Sequence, residues 1–129
     1  MRFNTYLNEK DDILTQQELD AVEKYADALF SKLNIDIEFT RHFIERVNDI
    51  RNKKQISKSE LIRLFKQTHK KYGKKIEKLG DDAEAVITDM TTDINMPFVL
   101  NWDGKEFDLI SKTIMRKKNF KTSNLKLEI

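Results

Sequence analysis

Pro97-Phe98-Val99-Leu100-Asn101-Trp102-Asp103-Gly104-Lys105-Glu106-Phe107-Asp108-Leu109-Ile110 is the stretch that separates a helical bundle from a mixed fold. Its aromatic and β-branched side chains favour a strand over residues 98–102, and Pro97 suits a strand's entry, where a missing amide proton does least harm. Asp103-Gly104 is expected to form the two-residue turn of a tight hairpin, because glycine accepts the positive φ required there. Residues 107–110, continuing through Met115, then make the returning strand. Working outward, residues 85–90 read as another strand, and Leu125, Leu127 and Ile129 alternate as a further one. Trp102, Phe98 and Phe107 are expected in the hairpin core rather than as a platform for bases.

Upstream of Gly80 the period changes from two to between three and four. Thr15-Gln16-Gln17-Glu18 has the form of a capping box, and Leu19, Val22, Ala26, Leu29, Phe30 and Leu33 follow at helical spacing, with Asn34 as a stop. Ile35-Asp36-Ile37 reads as a short extended link into a second helix over residues 40–51. Ser57-Lys58-Ser59-Glu60 is a second capping box, opening the longest helical pattern, with Leu61, Phe65, Tyr72, Ile76 and Leu79 on one side. Gly80 is placed to end it, and Gly73 is expected to weaken or bend it. The fold class predicted is α+β, with N-terminal helices packed on a three- or four-stranded antiparallel sheet.

The 129 residues are enough for one core without staples. With no cysteine, disulfides and thiolate zinc sites are excluded, so a metal would have to use His and carboxylates; no metal and no cofactor are expected. No apolar run approaches the roughly 20 residues of a bilayer span, so no membrane partner is expected. The net charge of +2 is strongly segregated: −5 over residues 1–50, +9 over 51–79, −6 over 80–104 and +4 over 105–129. Basic blocks that meet in space would suit the phosphate backbone of RNA or DNA, while pairing with the acidic blocks is the plainer outcome.

The chain has no Walker loop, dinucleotide fingerprint, HExxH pair or nucleophile elbow. The densest chemistry is over residues 40–51, where helical spacing sets His42, Arg46 and Asp49 on one face with Glu45 beside them, opposite Phe39, Phe43, Val47 and Ile50. His42 is the candidate acid or base, Arg46 and Arg51 can hold phosphate oxygens, and Glu45 or Asp49 can orient the imidazole. Ion pairing of Arg46 with Asp49 or Glu45 at a solvated face is the alternative. His69 falls on an apolar row and is expected to be structural. Thr113 lies between Lys112 and the Arg116-Lys117-Lys118 cluster, where it can reach a phosphate. Lys66, Lys70, Lys71, Lys74 and Lys75, with Arg116, Lys117 and Lys118, are the candidate nucleic-acid contacts. His, Glu and Arg beside Lys-rich surface is the inventory of a metal-independent ribonuclease, which needs an acid, a base and cations for the phosphate but no protein nucleophile.

Residues 1–9, Met-Arg-Phe-Asn-Thr-Tyr-Leu-Asn-Glu, resemble the capsid-targeting leader of internal head proteins in T-even-like tailed phages. That leader ends in a Leu/Ile-x-Glu site for the prohead protease, matched here by Leu7-Asn8-Glu9. The resemblance implies a removable leader over 1–9, a single domain over 10–129, and a protein carried in the virion interior and delivered to the host cytoplasm. A docked or frayed N-terminal peptide is the alternative. His-x-x-x-Arg in the helical half and Lys-Thr near the end also resemble the barnase, EndoU, colicin and RelE-like nuclease group over residues 38–122, which points to His42, Arg46 and Thr113. From His42 to Phe120 the chain is similar to proteins of marine tailed phages. The expected function is therefore a head-packaged ribonuclease acting through His42. Two alternatives stand beside it: a non-catalytic internal protein that binds nucleic acid or inhibits a host enzyme, and a structural subunit of the virion.

Overall fold

A computed structural model describes residues 13–129, and the leader-like segment with Leu7 and Glu9 lies outside the described residues. Among the described residues, three α-helices, α1 (Gln16–Phe30), α2 (Arg41–Val47) and α3 (Lys58–Glu77), accompany six strands. The strands are β1 (Ile35–Phe39), β2 (Glu84–Asp89), β3 (Ile94–Trp102), β4 (Phe107–Ser111), β5 (Met115–Arg116) and β6 (Leu125–Glu128). The class is α+β. Both capping boxes form: Thr15 and Glu18 start α1, and Ser57 and Glu60 start α3.

The sheet is larger than expected and it is mixed. Its order is β1-β4-β3-β2-β6, with β5 pairing β3 beyond the end of β4. The pairs β2–β3 and β3–β4 are antiparallel, but β1–β4 and β2–β6 are parallel. The expected three or four antiparallel strands capture only the centre. The segment expected as a link is strand β1: Ile35 and Ile37 enter the core while Asp36 and Glu38 face outward. The hairpin loop has four residues instead of two, since Trp102 pairs with Phe107 and Asp103 accepts from the amides of Lys105 and Glu106.

Helix α3 runs unbroken through Gly73. A Cβ there would sit 2.9 Å from Leu33 Cδ1, so this glycine serves the close approach of α3 to the turn after α1. His69 packs edge-on against Phe30 with ring centres 5.2 Å apart, as a structural histidine would. The core lies between the helices and the inner sheet face, built on Phe30, Phe43, Phe65, Phe98, Leu61 and Ile87. Trp102 packs on Phe107 with tilted rings 4.9 Å apart but stays partly exposed at the sheet end, outside that core.

The edge strand β1 is shielded by α1. Asp27 accepts from the Ile37 amide at 2.7 Å and Glu23 from the Phe39 amide at 3.0 Å, occupying donors that would otherwise invite another strand. No helix among the described residues is long and apolar enough to cross a membrane.

Candidate functional site

Pro97 explains where the site opens. Its carbonyl accepts from the Lys112 amide, so its nitrogen also faces the β4 side, and a proline nitrogen has no proton to give. There β4 ends, the chain swings out over residues 112–114, and pairing with β3 resumes only at β5. Thr40, the N-cap of α2, fills the break. Its amide donates to the Ser111 carbonyl, its hydroxyl donates to the Lys112 carbonyl at 2.9 Å, and the same oxygen accepts from the Phe43 amide. The α2 helix is thereby docked beside the swing, and a cleft of about 830 Å³ lies between them.

His42 and Arg46 from α2, Asp49, Arg51 and Lys53 from the following turn, and Thr113, Arg116, Lys117 and Lys118 from the far end of the chain all line this cleft. Six of its lining residues are Lys or Arg against two Asp, Asp49 and Asp93, so the field favours an anion. Arg46 Nε donates to His42 Nε2 over a long 3.4 Å. Asp49 holds both neighbouring arginines, taking Arg46 at 3.0 Å and Arg51 through a two-pronged contact with bonds of 3.1 and 2.9 Å. Glu45 does not join them: it faces Arg41 at 3.5 Å on open surface, so its expected role of orienting the imidazole is not available to it in this arrangement.

The second helix stops earlier than expected. Asn48 ends α2, and Asp49 caps a 3-10 turn over Ile50–Asn52, which throws Ile50 off the apolar stripe and into solvent, 91% exposed. Lys53 follows with φ 66° and ψ −50°, and the Lys54 amide donates back to the Asn52 carbonyl at 2.6 Å. That is a γ-turn of the strained, positive-φ kind at a non-glycine residue, whose backbone cost is about 1–3 kcal/mol. Buried Asn52 fixes the turn from within, donating to the Arg46 carbonyl and accepting from the Arg116 amide.

Arg116 is a strut of the cleft. Its guanidinium forks onto Glu60 at 2.8 and 3.0 Å and reaches the carbonyls of Lys54, Gln55 and Thr92. Those bonds tie together the cleft turn, the start of α3 and the β2–β3 turn. Burial, the largest influence, pushes the Glu60 carboxyl up, but the bonds from Arg116 and the Ser57 amide together with nearby positive charge hold it below its usual value. Of the three expected C-terminal contacts, Arg116 is thus engaged internally, while Lys117 and Lys118 are exposed.

Lys66, Lys70, Lys71, Lys74 and Lys75 are all exposed along α3, but none lines the cleft. No carboxylate among the described residues forms an ion pair with any of them. No protein-family model, curated protein or solved structure matches this chain. The chemistry of the cleft therefore rests on its own residues. Asn52, Lys53 and Asp93 are the polar members that sequence reasoning missed, beside the apolar Ile114 and Met115; Pro97 was the available signal that the last strand must break near residue 113.

Proposed function

We propose that the cleft binds an RNA phosphodiester and cleaves it without metal, with His42 as the proton acceptor. One observation carries the reading: segments more than sixty residues apart bring His42, Arg46, Arg51, Thr113, Lys117 and Lys118 to a single cationic cleft. In the reaction the long bond from Arg46 gives way, His42 Nε2 takes the proton of the ribose 2′-hydroxyl in its place, the 2′-oxygen attacks phosphorus, and the bond to the 5′-oxygen breaks. The leaving oxygen takes a proton from solvent at the open cleft, and a 2′,3′-cyclic phosphate remains. Arg46, Arg51, Lys117 and Lys118 offset the charge gathering on the phosphate. The α3 lysines offer a separate, sequence-independent surface for RNA or DNA. The leader-like residues support a companion proposal, that the protein is packaged in a phage head, trimmed by the prohead protease and delivered to the host; protein from mature particles is then expected to begin at Lys10 by mass spectrometry.

Cleavage is expected to persist in chelator, and His42→Ala to lower it by roughly a hundredfold or more while leaving RNA binding intact. A folded His42→Ala protein with undiminished cleavage removes the mechanism. A binding-only protein is the second reading, favoured by one feature: Glu45 is turned to Arg41, so among the described residues the one polar partner of the imidazole is Arg46. Salt-sensitive RNA binding with no cleavage of any RNA by the wild type selects that reading.

A further inference from the structure

The turn that brings Arg51 and Lys53 to the cleft holds Ile50 away from the protein. Ile50 stands between two cleft-lining residues, Asp49 and Arg51, with almost all of its side chain in water. Single exposed apolar side chains are ordinary on protein surfaces. This one differs in how firmly it is presented. Asp49 accepts from the Arg51 amide at 2.8 Å, the Ile50 carbonyl accepts from the Lys53 amide at 3.0 Å, and Asn52 locks the turn from beneath. Lys53 keeps a backbone conformation that L-residues avoid, so a relaxed turn is given up to hold this tip.

Building on the reading of the cleft as a phosphodiester site, we infer that Ile50 is its base-contacting element and that the cleft takes unpaired RNA. Proteins that bind single strands combine a cationic groove for the backbone with side chains, most often aromatic, that meet the faces of the bases, and an exposed aliphatic side chain can cover a base face by apolar burial alone. Here Arg51 and Lys53 supply the cations, and Ile50, next to Arg51 at the start of the same turn, supplies the apolar contact just outside the cleft lining. In a duplex the base faces are stacked on one another, and a rim side chain would meet ribose, phosphate and base edges but no base face. The cleft volume of about 830 Å³ lies within the roughly 300–1,000 Å³ of small-ligand sites, a size for a short stretch of single strand.

The test compares the full chain with Ile50→Ser on three probes: polyuridylate, inorganic polyphosphate of matched charge, and a polyadenylate–polyuridylate duplex, both RNAs 2′-O-methylated so that no 2′-hydroxyl is left to attack. Wild type is expected to prefer polyuridylate to polyphosphate, and Ile50→Ser to lose about tenfold on polyuridylate alone. Arg51→Ala is expected to weaken binding of polyuridylate and polyphosphate alike. Unchanged polyuridylate affinity in Ile50→Ser overturns the inference about the tip, and an equal loss on the duplex overturns the preference for unpaired RNA. Failure of wild type to bind either single-chain polymer is a different result, because it removes the phosphodiester reading on which the inference stands. Circular dichroism of Ile50→Ser guards against misfolding, which is not expected from so exposed a position.

Discussion

The basic cleft and the acidic end of the sheet both crowd like charges, yet the fold treats them in opposite ways. At the cleft, Asp49 is set between Arg46 and Arg51, Asn52 and Arg116 pin the backbone beneath them, and Lys53 is kept in a strained turn. At the acidic end, Asp36 of β1 lies directly opposite Asp108 of β4, with Glu38 and Glu106 close by. No Lys or Arg among the described residues forms an ion pair with any of these four. The carboxyls respond accordingly. Asp36 is pushed up to about 6, by burial first and then by its hydrogen bond to Asp27 and the charges of Asp27 and Asp103, and Glu38 and Asp108 are raised for the same kinds of reason. Charge density alone therefore does not mark a site. The cleft is distinguished by the buried structure that holds its charges in place.

The largest way to break the comparison is to remove that structure. Arg116→Ala leaves Glu60 without its partner and strips the carbonyls of Lys54, Gln55 and Thr92 of a donor. Breaking a pair with both members largely buried costs about 3–5 kcal/mol, and side-chain exposures of 12% and 15% put this pair near that class. Denaturant unfolding is expected to show a loss of that size, together with weaker RNA binding although Arg116 itself is not the outward cation. A loss below about 1 kcal/mol would mean that the cleft stands without its strut.

Lys53→Gly probes the same structure from the other side. Glycine adopts φ 66° without penalty, so relief of about 1–3 kcal/mol of strain, less about 0.5–1 kcal/mol for the greater freedom of the unfolded chain, predicts a gain near 1 kcal/mol. RNA affinity is expected to fall with the lost cation, so stability and binding move in opposite directions. If Lys53→Gly stabilises without loss of binding, the strained lysine is not held there for the anion.

How much of this was legible in the sequence follows from the range of the interactions. The two capping boxes are local, and both helices begin where Thr15 and Ser57 require. The grouping of His42, Arg46 and Asp49 is also local, because helical spacing and the following turn keep them together. The parallel pairs β1–β4 and β2–β6 join distant segments and leave no local signature; Ile35-Asp36-Ile37-Glu38-Phe39 alternates correctly for a strand but is too short to announce one. Ile50 was misread because a helical stripe was carried past Asn48 into a turn that Asp49 caps separately. Arg116 looked like surface because its partner Glu60 lies fifty-six residues away and already had a local task in the capping box.

The smallest expected effect lies at the acidic end. Asp36→Asn removes one of two like charges placed directly across the β1–β4 pair, an interaction of about 0.2–1 kcal/mol, so the variant is expected to be more stable by that amount at pH 7. The pH dependence fixes the sign. A carboxyl whose folded value is raised binds its proton more tightly in the folded chain, so its destabilising effect is complete above the folded value and fades as pH falls through about 6 toward the ordinary 3.8. Glu60 acts in the opposite sense, because its lowered value contributes stability above 4.5 that is lost as pH falls further. Wild type should therefore gain stability from pH 7 down toward pH 4.5 and lose it below, whereas Asp36→Asn should start higher and show a flatter rise. Chemical denaturation across that range measures both, with RNA affinity of the variant expected to match wild type because Asp36 does not line the cleft. Identical pH profiles for the two proteins would show that the carboxylates tolerate one another, and the acidic end would then be ordinary solvated surface.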